Sequence, residues 1–264
     1  MYRMDLHHRY SKQAACRRRQ TAFTTIEVLI VIAVISVLIG FILIAVRGAK
    51  AKGSELVSIA NLRSIYAVVF IYSESSKGMF PAIVSDRQYP AGCENILTKY
   101  GPWEMRTAWP VTILDRLPWR ENASVYLPPG SSRLIDAKAS AIGTCGWPSS
   151  FEYSLSFVAR PELWSGNVPS DTSPDSFIAP VYQHEALFPS NKTLLWDRDC
   201  AWVHRELRHK GVDIDEAVPM IFVDGHATLK TPSQATAPLQ TGMGLLTEDA
   251  RLHNTPFGVR GRDY

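Results

Sequence analysis

Asp197, Asp199, His204, His209, Asp224 and His226 crowd into one third of the chain. Imidazole nitrogens and carboxylate oxygens are the donors that a zinc ion takes. Asp213, Asp215 and Glu216 could in the same way offer oxygens to calcium. Neither group has the spacing of an EF-hand loop or of an HExxH helix. Solvated loop acids and satisfied histidines are therefore the simpler reading, and no metal or cofactor is expected. A nucleophile elbow, a P-loop and a dinucleotide fingerprint are all absent from the sequence, so no catalytic residue is assigned and an enzyme is not expected.

The four cysteines are Cys16, near the N-terminus, and Cys93, Cys145 and Cys200, far apart in the body. None forms a CxxC pair, which removes a zinc ribbon or a thioredoxin-type site. In an oxidising compartment one disulfide could form among Cys93, Cys145 and Cys200, with three pairings open and one thiol left over. The alternative is that all three are buried unpaired, as small apolar residues.

Glu27 is a carboxylate at the edge of a long apolar run, and a charge in that position is costly unless it snorkels or is paired. It has a sufficient local explanation. Thr24 as N-cap with Glu27 three residues later makes a capping box, and the acid suits the positive end of the helix dipole.

The element that must carry Glu27 is the run itself. From Val28 to Val46 the sequence VLIVIAVISVLIGFILIAV holds nineteen residues without a charge. As a helix it is roughly 28 Å long, close to the hydrocarbon thickness of a bilayer. Its many β-branched residues would favour a strand in water, but lipid forces the backbone to satisfy its own hydrogen bonds. A cleaved signal peptide would have a shorter apolar region, although Ala49-Lys50-Ala51 resembles a small-x-small cleavage site. A soluble core helix would need an apolar shell that the rest of the chain lacks. The arginines before the span hold the N-terminus in the cytoplasm, and Arg47, Lys50 and Lys52 beyond it weaken that bias without reversing it.

The stretch RRRQTAFTTIEVLIVIAVISVLIGFILIAV resembles the N-terminus of type IV prepilins and type II secretion pseudopilins. The resemblance implies a basic leader over residues 1–22, cleavage between Ala22 and Phe23 by a prepilin peptidase, N-methylation of Phe23, and Glu27 as the fifth mature residue, acting in assembly with other pilin or pseudopilin subunits. Ala22 departs from the glycine usual before the cut. The segment Asn61 to Pro81, NLRSIYAVVFIYSESSKGMFP, also resembles pilin-like proteins of planctomycete-type bacteria. Those end in a His, nine residues, then Asp-Gly. Here fourteen residues separate His209 from Asp224-Gly225, so the match needs an insertion.

Beyond the span, Leu62, Ile65, Tyr66, Val69 and Tyr72 recur at helical spacing and extend the helix over 23–77, with Gly78 and Pro81 to stop it. Gly48 and Gly53 could permit a bend. Strands are expected at Val125 to Leu127, Tyr153 to Val158 and Thr193 to Trp196. A two-residue hairpin turn is expected at Asp224-Gly225. The fold class is therefore α+β: a long N-terminal helix, transmembrane at 28–46 and amphipathic afterwards, packed on a small antiparallel sheet in an extracytoplasmic head over 78–230. The Pro-rich stretches Pro102 to Pro118 and Pro161 to Pro180 read as surface loops, and 231–264 as a mobile tail.

Charge narrows the partners. Of 264 residues, 46% are hydrophobic and 20% charged, and the formal net charge is +3. Residues 1–22 hold six basic residues against Asp5, a net +5, so the remaining 242 carry −2. The basic character belongs to the N-terminal segment and gives no support to nucleic-acid binding. Membrane lipid is the partner that the span itself calls for. Three functions remain: a structural subunit that polymerises through its N-terminal helix, a membrane-tethered binding module with a head rich in tryptophan, and, more remotely, a tethered metal-dependent hydrolase. Number of gene copies, abundance and neighbouring genes would separate them.

Overall fold

A computed structural model describes residues 24–82, 103, 105–128, 149–169, 171–199, 216–239 and 251–264. The chain divides into two compact units, one ending at Arg47 and the other beginning at Gly48.

Helix α1 runs Thr25–Ser75. In the first unit its apolar side chains are exposed on every side, from Ile26 to Val46. The one hydroxyl in that stretch turns inward: Ser36 Oγ donates to the carbonyl of Ile32 at 2.8 Å, so the hydroxyl proton has a partner within the helix. This is one helix long and apolar enough to cross a membrane.

In the second unit the same helix is two-faced. Ser58, Leu62, Ile65, Val69 and Tyr72 are buried, at alternating spacings of four and three that keep one stripe on the core side. Lys77 and Gly78 adopt positive φ after the last turn, and the Gly78 amide bonds back to the carbonyl of Ser73 at 2.8 Å. That stop agrees with the sequence signal.

Four antiparallel strands form the sheet in the order β1-β2-β3-β4: β1 Phe151–Tyr153, β2 Thr193–Asp197, β3 Val218–Phe222 and β4 Ala227–Lys230. The fold is α+β, as the sequence predicts. Every residue of β2 and β3 is buried, so both faces of the sheet are covered. Leu195 and Ile221 join the α1 stripe in the larger core. Trp196, Val218, Met220 and Phe222 pack on the other side with Ala235, Leu252 and Tyr264.

That second layer runs against the expectation of a mobile tail at residues 251–264; residues 240–250 lie outside the described residues. Residues 251–264 are ordered against the sheet, with Leu252, His253, Val259 and Asp263 all buried. The segment is polar and rich in Gly, so it has no period. Leu252 and Tyr264 nevertheless reach the side of β2 and β3 that carries Trp196, Met220 and Phe222, which would otherwise present large apolar side chains to water, while Val259 packs in the larger core.

Three further expectations change. Val125 to Leu127 is not a strand: Ala123–Tyr126 is a one-turn helix, α3, following a similar turn, α2, at Met105–Ala108. Turning places both Tyr126 and Leu127 inside, with the Tyr126 hydroxyl donating to the carbonyl of Leu117 at 2.7 Å. The strand from Tyr153 ends at once, because Ser154 Oγ accepts from the Ser156 amide and bends the chain into the 3-10 turn Leu155–Phe157. The Pro-rich stretches are not simply surface loops. Trp109–Ile113 and Pro161–Ser165 are 3-10 turns with proline in the first positions, and they carry Trp109, Ile113, Leu163 and Trp164 into the core.

Candidate functional site

The N-terminal turn of α1 carries the residue singled out at the membrane edge. The Thr24 amide donates to Glu27 Oε2 at 2.8 Å, the Thr24 hydroxyl donates to the same oxygen at 3.0 Å, and the Glu27 amide donates to Thr24 Oγ1 at 3.3 Å. The capping box expected from sequence is formed. Glu27 is exposed, and its second oxygen is left to the surroundings. Ala22 and Phe23, the residues of the proposed leader cleavage, lie outside the described residues.

Further along the helix a second stripe faces away from the core. Gly53, Val57, Ala60, Ser64, Ala67 and Ile71 are all exposed and follow one another at spacings of four, three, four, three and four. That spacing keeps the six residues on one side of the helix, and Gly53, Ala60, Ser64 and Ala67 leave that side shallow.

The Asp224-Gly225 element sits where α1 meets the sheet. The Gly225 amide bonds to the carbonyl of Phe222 at 2.9 Å and the Phe222 amide to the carbonyl of His226 at 3.0 Å. The loop is thus three residues long, Val223 to Gly225, with Gly225 at φ +85°, in place of the two-residue turn expected. The Tyr66 hydroxyl donates to the carbonyl of Val223 at 2.7 Å. A Cβ on Gly225 would lie 2.5 Å from Tyr66 Cε1. Glycine is required there twice over, by backbone conformation and by the ring that covers it. His209, the other member of the C-terminal motif, lies outside the described residues.

The suspected ligands are used in other ways. Asp197 is fully buried and accepts from Ser58 Oγ at 2.5 Å, which ties α1 to the end of β2. Asp199 accepts from Ser150 Oγ at 3.1 Å. Asp224 pairs with His226 Nδ1 at 2.6 Å, and the imidazole stacks on Phe222. Among the described residues no three His, Cys, Asp or Glu side chains are gathered as a metal would need. His204, Asp213 and Asp215 lie outside them, as do Cys93, Cys145 and Cys200. Of the tryptophans, Trp109, Trp119, Trp164 and Trp196 are in the core and offer no face to a ligand, while Trp103 is partly buried and donates to Asp175 Oδ1 at 2.7 Å. Trp147 and Trp202 lie outside the described residues.

Two buried charge clusters escaped the sequence reading. Glu152 Oε1 lies 3.2 Å from Arg106 Nε and 3.5 Å from both Arg198 and His253 Nε2. Burial raises the Glu152 carboxyl, but His253 and the two guanidinium groups outweigh it and leave it below the ordinary carboxylate range. Burial also dominates at His253 and holds its imidazole below the usual value, against the pull of Glu152. The Leu155 amide donates to His253 Nδ1 at 3.3 Å, which places the ring proton on Nε2, facing Glu152. The second cluster joins Lys192, fully buried, to Asp263 at 3.1 Å, with Ser156 and Thr255 around them. Both clusters anchor the 251–264 segment. No periodicity could have revealed them, because their members lie on four separate stretches of chain.

The architecture is pilin-like, a long apolar N-terminal helix whose second half lies on a four-stranded antiparallel sheet. No family model, no curated protein and no solved structure matches the chain.

Proposed function

We propose that this chain is a structural subunit of a type IV pilus-like filament or a type II secretion pseudopilus, anchored in the inner membrane with its N-terminus in the cytoplasm and assembled through α1. One observation carries the reading: the two parts of α1 are built for different surroundings. From Ile26 to Val46 its apolar side chains are exposed all round, as lipid or a bundle of like helices requires, whereas Ser58 to Tyr72 turn one stripe into the head. The small-residue seam from Gly53 to Ile71 extends a packing surface along the half that also holds the head.

Leader removal between Ala22 and Phe23 supplies the chemistry of assembly. The new α-amine on Phe23 becomes the partner for Glu27 of a neighbouring subunit, so that a carboxylate acceptable at a membrane surface stays acceptable inside an apolar bundle. Prepilin peptidase, other pilin or pseudopilin subunits and membrane lipid are the partners, with no catalytic role for the head. A tethered binding module is the competing function, and the burial of Trp109, Trp119, Trp164 and Trp196 weakens it.

Peptide mass spectrometry of the membrane-associated protein tests the proposal. A mature chain beginning at Phe23 is expected. An intact Met1 in cells that hold the peptidase, or a chain beginning just after Ala51, would overturn it.

A further inference from the structure

Lysine 192 is an unusual residue to find with no solvent exposure, and its neighbours are arranged in a specific way. Its Nζ donates to Ser156 Oγ at 3.0 Å, to Thr255 Oγ1 at 2.8 Å and to Asp263 Oδ1 at 3.1 Å. Thr255 Oγ1 in turn donates to Asp263 Oδ1 at 2.5 Å. Asp263 Oδ2 accepts from the Thr193 amide at 2.7 Å. The ring of Phe157 closes the site 5.8 Å from the amine. An amine and a carboxyl are thus in contact where water is excluded, one carboxyl oxygen facing a backbone donor and a hydroxyl bridging the other oxygen to the nitrogen.

We infer that Lys192 and Asp263 condense into an amide, a covalent bond between the residue that precedes β2 and the segment that covers the sheet. A proton passes from the ammonium to Oδ1 along their existing hydrogen bond, giving amine and acid. The amine lone pair attacks Cγ, and the charge that develops on Oδ2 is met by the Thr193 amide, which acts as an oxyanion donor. The nitrogen's surplus proton passes through the Thr255 hydroxyl, which touches both atoms, to Oδ1. The Cγ–Oδ1 bond breaks and one water leaves. One C–N bond forms, one C–O bond is lost, and no oxidant or reductant enters.

Two physical terms favour the step. A buried ion pair bears a desolvation penalty that a neutral amide does not, and burial already holds the Lys192 amine below its ordinary range. Holding the reacting groups in contact replaces a bimolecular encounter by an intramolecular one, which is worth an effective concentration of about 10⁵ M or more in well-oriented systems. The inference does not depend on the proposed function, since a subunit and a tethered binder would gain the same lock on the sheet.

The experiment is peptide mapping by mass spectrometry of the purified, denatured full-length protein after trypsin digestion. The expected result is a branched species joining the Lys192 and Asp263 peptides, lighter by one water than the two together, with no cleavage after Lys192. Asp263→Asn is expected to give the same branched species by loss of ammonia, and Lys192→Arg to give two separate peptides. Two unlinked peptides from wild-type protein whose cooperative thermal unfolding shows it to be folded would overturn the inference.

Discussion

Thr24 and Glu27 hold each other across the first turn of α1, each supplying an acceptor to the other's backbone amide, at 2.8 and 3.3 Å. The bond explains Glu27 as a helix-start residue without any reference to assembly, so the two roles must be separated by experiment. Glu27→Gln keeps an acceptor for the cap but loses the charge, whereas Glu27→Ala loses both. If Glu27 pairs with a neighbouring Phe23 amine, both variants insert in the membrane and neither enters sheared filaments or a pseudopilus. Normal assembly of Glu27→Gln would return the residue to its capping role alone. Glu27→Ala loses the acceptor for the Thr24 amide but keeps the bond from its own amide to Thr24 Oγ1, so it costs the helix about 0.5–1.5 kcal/mol, too little to alter the insertion of nineteen apolar residues.

The seam on the second half of α1 gives an independent test of assembly. Ala67 is exposed, so Ala67→Glu leaves the folded head within about 0.5 kcal/mol of wild type. In a lengthwise helix contact the same carboxylate would be buried without a partner. Filament or pseudopilus yield should drop sharply while the melting temperature of the head stays unchanged. Wild-type yield would place the contact elsewhere on the helix.

Gly225→Ala is expected to destabilise the head by roughly 1–3 kcal/mol, because it combines a positive φ with a collision against Tyr66. Tyr66→Phe should cost about 1 kcal/mol, the bond to the Val223 carbonyl being lost while the ring stays. The two sites share one contact, so in a Tyr66→Ala background the glycine substitution should cost less than in wild type. Additive costs, measured by urea denaturation, would show that the ring does not press on the turn.

Acid should loosen the head in two stages that act in the same sense. His253 is depressed when folded, so between its unfolded value near 6.5 and its lower folded value the unfolded chain takes up a proton that the folded chain refuses. Glu152 is also depressed, so its stabilisation is present above its unfolded value of 4.5 and disappears as the pH falls through the folded value. The urea midpoint should hold steady near neutrality, decline below about pH 6.5 and fall further below about pH 4.5. Glu152→Gln should be less stable at neutral pH and lack the second decline. A midpoint constant from pH 7 to pH 5 would sink the assignment of His253 as a neutral buried ring.

Deletion of residues 251–264 should leave a head that binds hydrophobic dyes and loses cooperative unfolding. The segment covers Trp196, Met220 and Phe222 and supplies Asp263 to Lys192. Deletion leaves the Lys192 amine buried without the group it is bonded or ion-paired to, and an uncompensated buried charge alone costs about 3–5 kcal/mol, a large fraction of the stability of an ordinary domain. A truncated head with unchanged unfolding would restore the mobile tail that the composition suggests.

The contrast between that tail and α1 shows what a sequence can and cannot disclose. The helix was legible because Leu62, Ile65, Val69 and Tyr72 repeat a period, and Gly78 with Pro81 marks a stop that local sterics enforce. Thr193 to Trp196 and the hairpin were legible for similar reasons, being short apolar runs around a turn glycine. Leu252, Val259 and Asp263 follow no period, and their burial depends on partners assembled from other parts of the chain: Leu252 on the far side of the sheet, Val259 in the larger core and Asp263 at Lys192. The acids at Asp197 and Asp199 attracted attention as ligands, whereas their partners, Ser58 and Ser150, carry no sequence signal at all. Composition likewise could not tell tryptophans that fill a core from tryptophans that face a ligand.

The bond from Tyr66 to Val223 spans 157 residues of sequence, and that from Ser58 to Asp197 spans 139. At a synthesis rate of about 5–20 residues per second, Tyr66 waits roughly eight to thirty seconds for its acceptor to exist. Residues 28–46 need no such partner, since a helix forms within about a microsecond once its own turns are made. The time order of the two halves of α1 is thereby set by topology: the apolar half can settle into lipid while the buried stripe of the other half is still uncovered. A pulse-chase with limited proteolysis would register that interval as a membrane-bound chain whose head remains cleavable.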